Sequence, residues 1–323
     1  MRVFLTGGTG FIGGEVARLL RARGDEVHAL VRTPAKAGAL AALGCVLVEG
    51  DLSDEDALRT ALTGCDALVH GAAVYEIGVT PARARDLVEA NVRGTEHVLG
   101  AALAAGVGRA VYVSTVAVFG NTRGQVADES WVRPADLGYT SVYEQTKVAA
   151  HSRAQEICGR GLPLVIVQPG VVYGPGDTSE VGGLFNRLLK GRLPLLPFPD
   201  LGITPVHRDD VAAGIVLALD EGETGASYVL GGEPTRMREL VAELARVAGR
   251  TPPRGALPTR LVKTMAPFGR AVGPLLGFPP NLRELIASSD GVTFWARSDK
   301  VQAELGWSWR PLAEGLATVA AAR

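Results

Sequence analysis

Tyr143 and Lys147 stand four residues apart in Val142–Gly159, a segment with a helical pattern, so their side chains share one helix face, one turn apart. An ammonium beside a phenol favours the phenolate. It draws a group that titrates near pKa ~10 toward the range where it can exchange a proton at neutral pH. Ser114 and Thr115 close the apolar run Ala110–Val113 and add hydroxyls; each can meet a substrate oxygen or simply cap a turn. Together the four residue types suggest proton transfer at a substrate oxygen.

Chemistry of this kind needs a frame that holds the groups at one edge. Val3–Leu5, Val27–Val31, Cys45–Val48, Ala67–Val69, Ala110–Val113 and Leu164–Val167 read as short strands rich in branched residues. Between them lie helical patterns at Gly14–Arg23, Ala35–Leu43, Glu55–Thr63, Ala84–Ala105 and Val142–Gly159. The alternation predicts an α/β protein with a Rossmann-type, doubly wound parallel sheet covered on both faces. Ligands of open sheets collect at the carboxyl ends of the strands, which is where Ser114 and Thr115 fall.

Directly behind Val3–Leu5 comes Thr6-Gly7-Gly8-Thr9-Gly10-Phe11-Ile12-Gly13. Its Gly8-x-Gly10-x-x-Gly13 spacing fits a dinucleotide-binding turn, with one glycine for the tight turn, one for close approach of a pyrophosphate and one for packing helix on strand. The helix that follows offers N–H donors to phosphate. Residues 1–170 are therefore read as a dinucleotide-binding domain, with about 205–231 returning to it. Beyond Pro169 the chain turns proline- and glycine-rich, as in Gly174-Pro175-Gly176 and Leu193–Pro199. Residues 171–204 and 232–323 are assigned to a smaller, discontinuous C-terminal substrate lobe. There Met237–Ala248 and Leu261–Leu276 are expected as helices, the latter buried against its own domain; Val211–Asp220 is a helix and Ser227–Leu230 a strand of the returning segment.

A formal net charge of −1, with 47% apolar and 21% charged residues, describes a globular chain without a basic field for nucleic acid or an anionic membrane. Cys45, Cys65 and Cys158 lack metal-ligand spacing and read as small buried hydrophobes in a reducing compartment. Met1-Arg2 leads straight into the first strand, and Val211–Leu219 is too short to span a bilayer. A cytoplasmic enzyme without a metal, acting on a small molecule, is the expectation.

Ordered motifs along nearly the whole chain resemble an extended short-chain dehydrogenase/reductase of the NAD(P)-dependent epimerase/dehydratase family. They are the glycine turn, Gly50-Asp51-Leu52, His70-Gly71-Ala72-Ala73, Asn91-Val92-Arg93-Gly94-Thr95, Ser114-Thr115-Val116-Ala117-Val118-Phe119-Gly120, Tyr143-x-x-x-Lys147, Gln168-Pro169-Gly170-Val171-Val172-Tyr173-Gly174-Pro175-Gly176 and Val206-His207-Arg208-Asp209-Asp210-Val211. The resemblance implies Tyr143 as acid/base, Lys147 as its ribose-binding partner, Thr115 at the family's Ser/Thr position and Asn91 as an organiser of the catalytic site. It further implies that Gly7, Gly10, Phe11, Ile12 and Gly13 hold the pyrophosphate. Asp51 and Leu52 would flank the adenine, Ala72, Ala73 and Ser114 would line the dinucleotide path, and Pro169 would lie against the nicotinamide. A homodimer pairing the helices Ala84–Ala105 and Val142–Gly159 is implied too. Gln168 and Arg208 depart from the pattern, standing where arginine and an aliphatic residue are usual.

The second strand ends Val31-Arg32-Thr33, with no carboxylate to hold a ribose 2′-hydroxyl. Arg32, with Lys36, can pair a 2′-phosphate, which favours NADP(H) over NAD(H); a solvated surface arginine is the plainer alternative. The expected activity is hydride exchange between nicotinamide and a carbonyl or alcohol, in the manner of dihydroflavonol reductases or hydroxysteroid dehydrogenases. A nucleotide-sugar epimerase with tightly held NAD is the near alternative, and a non-catalytic dinucleotide sensor or assembly subunit the distant one. A 4,6-dehydratase is disfavoured because Val116 and Ala117 stand where elimination needs an acid and a base. Tyr75, Tyr173, Phe198 and His207 are the expected substrate contacts, with a structural role for His207 the slightly favoured reading.

Overall fold

The computed structural model describes residues 1–268 and 278–322. Seven parallel strands form its central sheet. They are β1 (Arg2–Thr6), β2 (Glu26–Val31), β3 (Val46–Glu49), β4 (Ala67–His70), β5 (Arg109–Val113), β6 (Leu164–Pro169) and the later strand Ser227–Leu230. The order across the sheet runs Ser227–Leu230, β6, β5, β4, β1, β2, β3. Val3, Phe4 and Leu5 are fully buried, as are all residues of β4 and β6, the signature of strands sandwiched between helices. This is a Rossmann-like α/β fold.

The helices α1 (Gly13–Ala22), α2 (Gly38–Ala42), α3 (Glu55–Leu62), α4 (Pro81–Val88), α5 (Gly94–Ala104), α6 (Val142–Gly159), α7 (Glu180–Leu189), α8 (Arg208–Glu221) and α9 (Met237–Val247) supply the two covering layers and the second lobe. Val16, Ala17 and Leu20 of α1 join Val211, Ile215 and Leu219 of α8 on one face of the sheet. Leu58 and Leu62 of α3, Val98 and Leu99 of α5, and Ala150, Ala154 and Ile157 of α6 cover the other. Ser141 starts α6 by accepting a hydrogen bond from the Glu144 amide at 3.1 Å, which fixes where the Tyr143–Lys147 turn begins.

Several boundaries differ from those read in the sequence. The expected helix Ala84–Ala105 is instead α4 and α5 joined by a π-helical turn, Glu89–Arg93. The expected helix Ala35–Leu43 splits into a 3-10 turn, Pro34–Lys36, and α2. Leu261–Leu276 begins as a helix, Thr259–Met265, with a short 3-10 turn after it; its later part lies outside the described residues. The strand Pro205–His207 pairs with β7 (Val171–Tyr173), apart from the main sheet. Val301, Leu305 and Trp307 pack with α1 and α8 rather than with the second lobe, because Arg310 grips Asp210 in the first turn of α8 through Nε (3.0 Å) and Nη2 (2.7 Å). The second lobe has a core of its own built on Tyr173, Phe185, Leu188, Leu240, Leu244 and Leu316. Among the described residues no helix is long and apolar enough to cross a membrane.

Candidate active site

The turns after β1, β2, β4, β5 and β6 open at one edge of the sheet. At the first, Gly7 adopts φ +77°, and a Cβ there would lie 2.7 Å from the Ala72 amide nitrogen; only glycine lets the turn lie against the loop after β4. A Cβ on Gly13 would overlap the Gly7 carbonyl, so α1 can start this close to β1 only because that side chain is missing. Gly10 closes the turn by donating to Gly7 O at 2.9 Å, whereas the amides of Phe11 and Ile12 have no hydrogen-bond partner among the described residues. Unfilled donors at the start of a helix, behind a glycine cradle, fit a dinucleotide pyrophosphate.

Arg32 lies one residue past β2 with its side chain exposed, and Lys36 sits on the 3-10 turn beside it, also exposed. Neither is in an ion pair with a carboxylate among the described residues. Asp51 is held by the Ser53 hydroxyl (2.8 Å) and amide (3.1 Å). These bonds, aided by the Arg32 charge, keep its carboxyl below the usual carboxylate range despite partial burial. Leu52 packs on Gly94 in the first turn of α5. Ala72 is half-buried, Ala73 exposed, and Pro169 ends β6 fully buried.

Asn91, 1% exposed, occupies the π-helical turn. Its Oδ1 accepts from Val74 N at 2.7 Å, and its Nδ2 donates to Val74 O at 2.9 Å and to Thr146 Oγ1 at 3.1 Å. Both amide protons and the carbonyl are thus spent on the loop after β4 and on α6. Asn91, expected among the catalytic residues as an organiser of the site, ties those two walls together. π-turns of this sort recur at functional sites because the extra residue re-aims a side chain.

Lys147 is 2% exposed, and its Nζ donates to Val113 O (3.0 Å) and Tyr112 Oη (3.1 Å) at the end of β5. Burial lowers the pKa of this ammonium. Tyr143 tests the expectation that lysine draws its phenol down. Lys147 does pull in that direction, and so does the nearby Thr115 hydroxyl, but burial is the larger effect and the phenol ends above its ordinary value. It is therefore a neutral hydroxyl in this state. Thr115 caps the short turn that follows, accepting from Ala117 N at 3.2 Å. Ser114 is buried, and its hydroxyl meets His151 Nδ1 at 2.9 Å.

Of the four expected substrate contacts, the structure brings Tyr75 to Tyr143. Their rings meet edge to face at 4.8 Å, with Tyr75 still 52% exposed at the lip of the cleft, and the Glu180 carboxylate lies near the Tyr75 phenol. Tyr173 is instead a core residue of the second lobe, packed edge-on against Phe185 and His207. His207 is structural: it caps α8 by accepting from Asp209 N at 3.2 Å, and its other nitrogen meets Thr318 Oγ1 at 3.1 Å. Phe198 is buried in a loop with left-handed backbone, φ +47°. These residues fell in segments rich in aromatic and polar types, but tertiary packing turned them inward.

Sequence reading missed a buried column beneath Lys147. Tyr112 stacks on His70 at 5.6 Å, His70 Nε2 meets Thr95 Oγ1 at 3.1 Å, and His70 Nδ1 meets Thr6 Oγ1 at 2.7 Å. Thr95 spends its own proton on Asn91 O, so His70 must carry its proton on Nε2 and accept from Thr6 at Nδ1. Burial, with the Lys147 charge, pushes the His70 pKa down to about 3. Tyr112 was hidden because, between Val111 and Val113, it reads as one more strand hydrophobe.

Residues 3–231 match the NAD dependent epimerase/dehydratase family. A Synechocystis protein named for dihydroflavonol 4-reductase is 34% identical over 87% of this chain and 85% of its own length. The 4-hydroxy-2-methyl-3-oxo-4-farnesyl-3,4-dihydroquinoline-1-oxide ketoreductase of Stigmatella aurantiaca is 32% identical over 96% of this chain and 92% of its own. The crystal structure of gox2253 superposes with a TM-score of 0.84 at 33% identity, covering 99% of this chain and 96% of that one. The chain belongs to the NAD-dependent epimerase/dehydratase family, the extended short-chain dehydrogenases/reductases, and is an NAD(P)-dependent enzyme.

Proposed function

We propose that the chain is an NADP(H)-dependent carbonyl reductase acting on an uncharged ketone with apolar surface. The observation that carries this reading is geometric: Tyr143 stands one helical turn before Lys147, whose ammonium is fixed at the end of β5; burial favours the protonated phenol, which suits a group that gives a proton to a carbonyl oxygen as that oxygen gains charge. Thr115, just past the end of β5, would supply a second hydroxyl for the same oxygen. Lys147 holds a positive charge at the end of β5, favouring the anionic phenol that remains after the proton has left. A bound nicotinamide supplies the hydride in such a site.

Three further points support it. Arg32 and Lys36, exposed and without carboxylate partners, suit a 2′-phosphate. The cleft lip carries carboxylates, Glu180 near Tyr75 and Asp177 close by, and the nearby Arg83 is already paired with Glu76 at 2.7 Å; such a lip disfavours a diphosphate substrate and weakens the epimerase alternative. Finally, the two relatives above carry the names of ketone reductases. The test is decay of reduced-nicotinamide absorbance with a panel of hydrophobic ketones. Turnover with NADPH supports the proposal. Interconversion of nucleotide sugars by protein with retained NAD would replace it with the epimerase reading, and dinucleotide binding without turnover of either substrate class would favour a sensor.

A further inference from the structure

The turn Thr6–Gly14 contains neither lysine nor arginine, so a pyrophosphate seated there meets amides and a helix dipole but no full positive charge from that segment. Glu15, in the first turn of α1, is negative, and its charge is answered by Arg18 at 2.6 Å. The cation that does reach the turn comes from the start of α8. Arg208 places its guanidinium carbon 5.2 Å from the centre of the Phe11 ring, and Phe11 carries one of the two open amides of the turn. Gly174 lies against both residues: a Cβ there would be a close fit, 3.3 Å from Arg208 Cβ and 3.4 Å from Phe11 Cζ.

Arg208 Nε donates to Asp209 Oδ1 (3.0 Å), Nη1 donates to Pro175 O (3.0 Å), and Nη2 lies 3.0 Å from Asp209 Oδ1. With five N–H groups on a guanidinium, two or more are left over. Asp209 does not answer Arg208 alone, since its carboxylate also faces Arg310 at 3.9 Å. A cation in the first turn of a helix is electrostatically unfavourable for that helix, which argues for a use elsewhere.

We propose that Arg208 is a clamp from the start of α8 that pairs with the pyrophosphate of the bound dinucleotide, its ring contact with Phe11 holding the guanidinium over the phosphate-binding amides. The proposal rests on the dinucleotide reading of the glycine turn. Because a pyrophosphate is common to both nicotinamide cofactors, Arg208 contributes equally to NADPH and NADH, unlike Arg32.

The test is fluorescence titration of the cofactor-free protein with NADPH and NADH, without substrate, at low and high salt. Arg208→Met is expected to raise Kd for both by the same factor of about ten, the order of one charge-assisted contact, and to flatten the salt dependence. Arg208→Lys keeps the charge without the planar fork and is expected to fall between the two; it stands in should the methionine variant not fold. Unchanged Kd values in a folded Arg208→Met protein, or a loss confined to NADPH, overturn the clamp. Failure of the unaltered protein to bind either dinucleotide overturns the glycine-turn reading and the clamp with it.

Discussion

Lys147 Nζ donates to Tyr112 Oη across 3.1 Å inside the fold, so the ammonium that faces Tyr143 is anchored from below by a second phenol. The pair sets the geometry of the acid/base: β5 supplies the anchor, α6 carries the lysine one turn beyond Tyr143, and burial fixes the charge states of all three. Replacing Tyr112 by Phe leaves Val113 O as the acceptor that remains. The Lys147 pKa is expected to fall further and the pH limb assigned to Tyr143 to move up, while thermal stability changes by no more than about 1–2 kcal/mol. A pH–rate profile of Tyr112→Phe beside a melting curve checks this.

Tyr143→Phe removes the proton donor and leaves the apolar contacts of the ring. Turnover is expected to drop roughly 10²–10⁴-fold with NADPH affinity nearly unchanged, as read by steady-state rates against a binding titration.

The sign of the pH dependence follows from the raised phenol. Reduction needs Tyr143 protonated, so its rate should hold through neutral pH and decline only above the ordinary phenol value of ~10. Oxidation of the alcohol needs the phenolate and should rise with pH instead. Lys147→Met removes a charge that favours the phenolate and should therefore move the pH at which oxidation rises upward, as read from pH–rate profiles of the two proteins.

Arg32→Ala should weaken NADPH binding by about 5–30-fold, or ~1–2 kcal/mol, and leave NADH within about twofold. Parallel titrations decide whether Arg32 reads the 2′-phosphate or is only solvated.

His70 and His151 are pushed down by burial to about 3 and about 4, so both are neutral in the folded protein when the unfolded chain, titrating near 6.5, already binds protons. The unfolded state then holds more protons, and stability falls as pH drops below about 6.5 until the folded-state values are reached. His151→Gln removes one of the two titrations and should shallow that decline in denaturant melts between about pH 6.5 and 4.

How much of this was legible in the sequence depended on range. The glycine turn and the Tyr143–Lys147 step are local spacings, fixed by turn sterics and helix pitch, and the strands announced themselves as unbroken apolar runs because both sheet faces are covered. The π-turn at Asn91 was not legible, since a 3.6-residue period carries no mark of one inserted residue. Tyr173 and His207 looked like cleft residues by motif position, yet the close approach of Gly315 to the Tyr173 hydroxyl and the Thr318 partner of His207 lie more than 100 residues away. The same distance hid Arg208, which the sequence showed only as a departure from a pattern.

The most direct test of the central claim is consumption of NADPH by the purified protein with a hydrophobic ketone, run beside Tyr143→Phe. The account predicts stoichiometric oxidation of NADPH and formation of the alcohol by the unaltered protein, and silence from a variant that still binds NADPH. Undiminished turnover by Tyr143→Phe, or protein that holds NAD and epimerises a nucleotide sugar with no net change in absorbance, would contradict it.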